Sequence, residues 1–98
     1  MKARSEPRRK AAEMLAIQAL AFIADDVQAL GRFLDASGLS AAQIRDAAGE
    51  PGFLAGVIEH MLADETLLLA FADSAGIDPA EIARASRALG GQWERDLP

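Results

Sequence analysis

Two stretches of the chain, FLDASGLSAAQI at residues 33–44 and FADSAGIDPAEI at residues 71–82, stop one helix and start the next by the same device. In each, a glycine (Gly38, Gly76) takes the left-handed conformation that closes a helix at low cost. Two residues on, Ser40 or Asp78 presents an oxygen to the free amides of the following helix. Gln43 and Glu81, three residues beyond each cap, complete the capping-box pattern. Such punctuation obliges the chain to turn corners between helices.

The remaining segments read the same way. Pro7 suits a first helical position, and Met14, Leu15, Leu20, Phe22 and Ile23 give a first helix over 8–24. Asp25 or Asp26 caps a second helix bearing Val27, Leu30, Phe33 and Leu34, and Ser40 opens a short third one that ends near Gly49. Pro51 opens a fourth, with its apolar side at Phe53, Leu54, Val57, Ile58, Met61 and Leu62. Asp64 caps a fifth, ETLLLAFADSAG, which is apolar almost all round and is expected at the centre of the core. Asp78 and Pro79 open a sixth, which Gly90 and Gly91 are expected to end. No segment alternates like a strand. The fold class is therefore all-α, a compact bundle of about six short helices. Residues 8–90 form one domain between a disordered basic arm, 1–7, and a C-terminal tail, 91–98.

At an offset of 38 residues, Asp26, Leu30, Phe33, Asp35, Gly38, Ala42 and Ile44 recur as Asp64, Leu68, Phe71, Asp73, Gly76, Ala80 and Ile82. Two copies are too few for a helical repeat array, which stacks at least about three units. Copies at 11–49 and 50–90 point instead to two three-helix units closed about a pseudo-twofold axis, although common helix-hairpin grammar produces part of such a match.

The net charge of −5 conceals an asymmetry. Lys2, Arg4, Arg8, Arg9 and Lys10 face only Glu6 within residues 1–10, a local charge of +4 that leaves −9 on the remaining 88 residues. A basic arm on an acidic body can touch RNA, anionic lipid or an acidic protein, all of which the body repels. The chain has no cysteine, which excludes disulfides and thiolate metal sites. AAEMLAIQALAFIA, 11–24, imitates an export signal, but Glu13 and Gln18 interrupt it, Phe22 occupies a position that cleavage wants small, and it is too short to span a bilayer. A cytoplasmic protein without membrane insertion is expected.

The glycine corners resemble the turn of DNA-reading helix-turn-helix units. Such a unit wants a small residue four positions before the glycine; the first copy has Leu34 there and the second has Ala72. The second copy's following helix carries Arg84 and Arg87 three apart, but Asp78 and Glu81 fill the turn that would enter the groove. A structural corner is the favoured reading. Nucleic-acid contact through Arg8, Arg9, Lys10, Arg84 and Arg87 stands as the alternative.

Catalysis has little to work with. His60 is the single histidine, and its neighbour Glu59 points about 100° away around a helix. The acidic pairs Asp25–Asp26 and Asp64–Glu65 sit at helix starts, where capping explains them. No glycine-rich phosphate loop precedes a helix, and no cofactor or metal is expected. Partner contact has more behind it. The first helix is apolar around most of its circumference, so Ile17 and Phe22 are candidates for a homodimer seam or a docking face. Trp93, in QWERDLP, either folds back onto the core or anchors an as yet unknown protein partner. These features favour a non-enzymatic adaptor or regulatory protein.

The order IQALAFIADD, LGRFLDASGL, FLAGVIEHMLADETLLLAFADSAGIDP, within residues 17–79, resembles domain of unknown function 3572, a family of short alphaproteobacterial proteins. MLADETLLLAFA carries one family segment almost unmodified, and MLAIQALAFIA is close to another. The resemblance implies a small, cytoplasmic, all-helical protein of bacterial origin. It brings no catalytic or binding residue with it.

Overall fold

Four of the five corners between helices carry a side-chain hydrogen bond between residues two or three apart; the corner at Glu50 has none. The Asp26 carboxylate accepts from the amides of Gln28 and Ala29 at 2.9 and 3.3 Å, Asp64 from the Leu67 amide at 3.2 Å, and Asp78 from the Ala80 amide at 2.9 Å. Ser40 Oγ accepts from the Gln43 amide at 3.3 Å while Gln43 Oε1 accepts from the Ser40 amide at 2.9 Å, the reciprocal pair of a capping box. Gly38 and Gly76 close their helices at φ 74° and 69°, the only positive φ values among the described residues.

These corners delimit six helices in the computed structural model, which describes the backbone of residues 2–95 and the side chains of residues 7–50 and 52–89. They are α1 (Lys2–Ala24), α2 (Val27–Ser37), α3 (Ala41–Ala47), α4 (Pro51–Ala63), α5 (Glu65–Ala75) and α6 (Pro79–Arg95). No strand occurs among the described residues, and the chain is an all-α bundle.

The core is built by α1, α4 and α6, which pack against one another. From α1 it takes Ala12, Ala16, Ala19, Leu20 and Ile23, a stripe spaced four, three and four residues apart with Leu20 beside it. From α4 come Leu54, Val57, Ile58 and Met61, and from α6 Ile82, Ala85 and Leu89. The alanines let the helix axes approach, and the larger side chains of α4 and α6 fill the volume between them. Two shorter helices complete the cover: α2 lies on α1 and buries Ala29 and Phe33, with Phe33 against α4, and α5 lies on α4 and buries Leu67, Phe71 and Ala72, with Phe71 against Phe22 of α1.

Four features depart from what the residues alone lead one to expect. α1 begins at Lys2, so residues 2–7 are helical rather than a disordered arm. Pro7 lies inside this helix and gives up the backbone bond its amide would make, while the Lys, Arg, Glu and Ala around it favour helix. At the other end, α6 runs through Gly90 and Gly91 to Arg95. A glycine ends a helix only where the chain turns left-handed, and in a continuing helix it merely costs about 1 kcal/mol relative to alanine. The tail expected over 91–98 is thus helical through residue 95, and residues 96–98 lie outside the described residues.

The helix expected at the centre, α5, is peripheral. Its Leu67, Leu68, Phe71 and Ala72 form one inward stripe, and Leu69, about 200° around from Leu67, is half exposed. The three-and-three symmetry is likewise confined to the corners. Gly38 and Gly76, Asp26 and Asp64, and Phe33 and Phe71 occupy like positions, but α3 contributes no buried residue whereas its counterpart α6 is a core helix. The difference is one of length: α3 stops after 7 residues and α6 continues for 17.

Two substitution pairs follow from this packing. Gly56 lies inside α4 with open space where a Cβ would project, so Gly56→Ala raises stability by about 0.5–1 kcal/mol in a denaturant titration. Gly76→Ala forces a side chain onto a left-handed residue and lowers it by about 1–2 kcal/mol. In the second pair, Ile82→Ala removes a fully buried side chain and costs about 2–5 kcal/mol. Ile44→Ala, at the equivalent but half-buried position, gives the smaller loss in the same assay; equal losses would contradict the asymmetric core.

Candidate functional site

Because the buried stripe of α1 is built largely from alanines, the larger apolar residues of that helix are displaced to its flanks. Met14 and Leu15 lie to one side, where α1 and α6 diverge into a surface groove of about 990 Å³. From α1 the groove is lined by Arg8, Ala11, Met14, Leu15 and Gln18. From the α6 side it takes Ile77, Glu81, Arg84, Arg87 and Ala88. The floor is apolar, and three guanidiniums and one carboxylate stand at the edges. Met14 is 62% exposed, and Ile17, one turn on and rotated away from the groove, is 49% exposed.

The cations expected to act together are partly assembled by this geometry. Arg8, Arg84 and Arg87 share the groove and are exposed. Arg9 is half-buried and Lys10 exposed, and neither lines the groove. Of the seven arginines and lysines with described side chains, only Arg32 and Arg45 lie away from α1 and α6. The acidic caps Asp26 and Asp64 are elsewhere, at the starts of α2 and α5, whereas Asp78, which caps α6, adjoins the lining residue Ile77. Among the described residues the groove thus gathers three arginines against one glutamate.

Of the candidate partner residues, Ile17 and Phe22 differ in exposure. Ile17 is exposed as expected, but Phe22 is half-buried with its ring 5.5 Å from that of Phe71 at 59°, a tilted aromatic pair. Trp93 falls within α6, four residues past Leu89, and its side chain lies outside the described residues.

A second, smaller groove of about 370 Å³ lies between α2 and α4, lined by Phe33, Leu39, Gly52, Phe53, Gly56 and His60 among others. Phe33 is its centre, with Phe53 edge-on at 5.9 Å and 77° and His60 edge-on at 5.1 Å and 78°. The single histidine is thus an aromatic neighbour of the core. No polar or charged side chain is buried among the described residues, and no group of three or more His, Asp or Glu there could hold a metal ion. Nor is any single helix among them long and apolar enough to cross a membrane; Pro7–Ala24 and Val27–Ser37 qualify only as a pair, bent by 116°.

The groove floor was open to inference from sequence, through one signal that is easily passed over. Ala12, Ala16, Ala19 and Ile23 follow the 4-3-4 spacing of a packed helix face, which places Met14 and Leu15 at its margin. The larger residues draw attention from it because hydrophobicity rises with size. The Phe33, Phe53 and His60 cluster has no such local signal, since it joins two helices.

Fold and site together define a small all-α protein with an open, basic-edged groove between its first and last helices. A family model described as protein of unknown function (DUF3572) matches residues 9–92, and the chain belongs to that family. The match takes in α2 to α5 whole together with most of α1 and α6. No curated protein and no solved structure matches the chain.

The position of Phe22 has a measurable consequence. Phe22→Ala breaks the pair with Phe71 and is expected to cost about 3 kcal/mol, seen as a lowered thermal midpoint. Ile17→Ala, at an exposed site, is expected to stay within about 1 kcal/mol of the parent. A stable Phe22→Ala protein would return that residue to the surface contacts.

Proposed function

We propose that this chain is a non-enzymatic adaptor or regulatory protein of the bacterial cytoplasm, which binds a protein partner along the groove between α1 and α6. The observation that carries this reading is the apolar floor left open there, with Met14 exposed in the groove and Ile17 exposed beside it. An apolar strip with a polar edge is the make-up of a protein-contact surface, whose centre loses water on binding while its margin stays wet. The aromatic packing of His60 and the absence of buried polar side chains among the described residues support a binding role over a chemical one. The lack of cysteine and the family resemblance support the cytoplasmic and bacterial placement.

The second reading, nucleic-acid contact through Arg8, Arg9, Lys10, Arg84 and Arg87, is favoured by the meeting of Arg8, Arg84 and Arg87 at one groove. Its signature is an affinity that falls steeply with salt.

A nuclease-treated affinity pull-down separates the two. The parent chain is expected to retain a stoichiometric protein that Met14→Glu/Ile17→Glu releases, with helical circular dichroism unchanged. Trp93→Ala, assayed in parallel, reports whether the C-terminal end of α6 adds to the same contact. Retention of the same protein by the folded double variant, or recovery of nucleic acid alone, would count against the docking reading.

A further inference from the structure

We propose that the partner segment received by this groove is an acidic amphipathic helix. The inference rests on the docking reading above and adds the chemistry of what docks. Three properties of the groove converge on that class. The first is shape: the walls are two helices, and the α1 wall from Arg8 to Gln18 rises about 15 Å, the length of roughly three helical turns. An open trough between two helices receives a third rod more readily than a small molecule, which needs enclosure on most sides. The second is the floor. Met14, Leu15, Ile77 and Ala88 supply apolar lining, which suits the apolar stripe of a helix at i, i+3, i+4 and i+7 and adds nothing to contact with a phosphate backbone.

The third is charge. Arg8 on α1 and Arg84 and Arg87 on α6 flank the strip, with Glu81 the one acid among the lining residues. A helix seated on the strip presents its two flanks to these guanidiniums, so Glu or Asp on those flanks is matched and Lys or Arg repelled. Asp26 and Asp64, at the starts of α2 and α5, would repel the same helix from those corners. The arrangement therefore selects by charge as well as by shape.

The test is a titration of the isotope-labelled full chain, followed by amide resonances. The probe is a lactam-bridged helical peptide of about three turns, with leucines at i, i+3, i+4 and i+7 and glutamates on both flanks. Its counterpart carries lysines in place of the glutamates. The acidic peptide is expected to shift amides around Leu15 and Ala88, to bind about tenfold more weakly to Arg84→Gln/Arg87→Gln, and to outcompete its lysine counterpart. Both arginines are exposed, and circular dichroism verifies that the variant is folded.

The proposal is overturned if the lysine peptide binds as well, or if the acidic peptide shifts other regions or none. It is also overturned if a single-stranded or duplex oligonucleotide shifts the groove amides and the acidic peptide does not, which would make the groove a phosphate site. Groove amides that move on dilution of the free protein would make a second copy the occupant and overturn it too. The pull-down with Met14→Glu/Ile17→Glu uses no peptide. Partner loss there combined with no acidic-peptide binding here removes the partner's chemistry and leaves the docking reading standing.

Discussion

The bundle depends on one close approach, that of α1 to the helices it packs between. Ala12, Ala16 and Ala19 contribute almost no side-chain bulk, so α1 can lie against α4 and α6 with its backbone near theirs. The core volume then has to come from the facing helices. Of the five largest fully buried side chains, Val57, Ile58 and Met61 belong to α4 and Ile82 to α6, leaving only Ile23 to α1. Bulkier residues at 12, 16 or 19 would drive the axes apart and open voids around that set, because interiors near crystal density do not absorb an added side chain. Phe33 and Phe71 cap this arrangement from α2 and α5 and are themselves buried.

The same economy produces the groove. A helix whose packed face is made of alanine must place its larger apolar residues elsewhere, and on α1 these are Met14, Leu15 and Ile17. Leu15 and Met14 remain beside α6 without being covered by it. The charge pattern has a separate origin. Aspartates are drawn to helix starts because they satisfy free amides there, which spreads negative charge over the corners of the bundle. Arginines are excluded from those positions and collect on α1 and α6. The aspartate caps thus contribute to fold stability and to surface potential together, whereas the exposed arginines of the groove act on the potential.

What was legible in the sequence, and what was not, divides along the range of the interactions. Asp26, Gly38, Ser40 with Gln43, Asp64, Gly76 and Asp78 act on backbone groups within a few residues, so their roles could be read directly and the structure places each at its helix end. Position in the bundle could not be read that way. SAAQI and DPAEI open helices by nearly the same grammar, yet one helix is on the periphery and the other in the core, because α6 is long enough to span α1 and α4 and α3 is not. α5 illustrates the converse. A run of leucines raises mean hydropathy all round a helix, but a short helix on a small bundle has a neighbour on one side only, so Leu69 faces outward. In the site, Arg8, Arg84 and Arg87 could be named singly, but their meeting depends on the packing of α1 against α6, more than seventy residues apart in the chain.

That packing also limits what the glycine corner before α6 can do. In a helix-turn-helix the second helix must be free to enter the major groove of DNA, with the residues of its first turns against the base edges. Here Ile82 and Ala85 are the inward face of those turns, buried among α1 and α4, while Ala80, Glu81 and Arg84 are exposed and Glu81 lines the groove beside α1. The face of α6 left to solvent offers Arg84 and Arg87, separated by one turn and paired with Arg8 across an apolar strip. Two guanidiniums at that spacing can meet phosphates, which carry no sequence information. The contrast to be resolved at the groove is between a polyanion held by charge and a helix held by charge and apolar contact together. Raising the salt concentration weakens the first throughout and the second only in part, since burial of Met14 and Leu15 against a partner does not depend on ionic strength in the way that phosphate contact does.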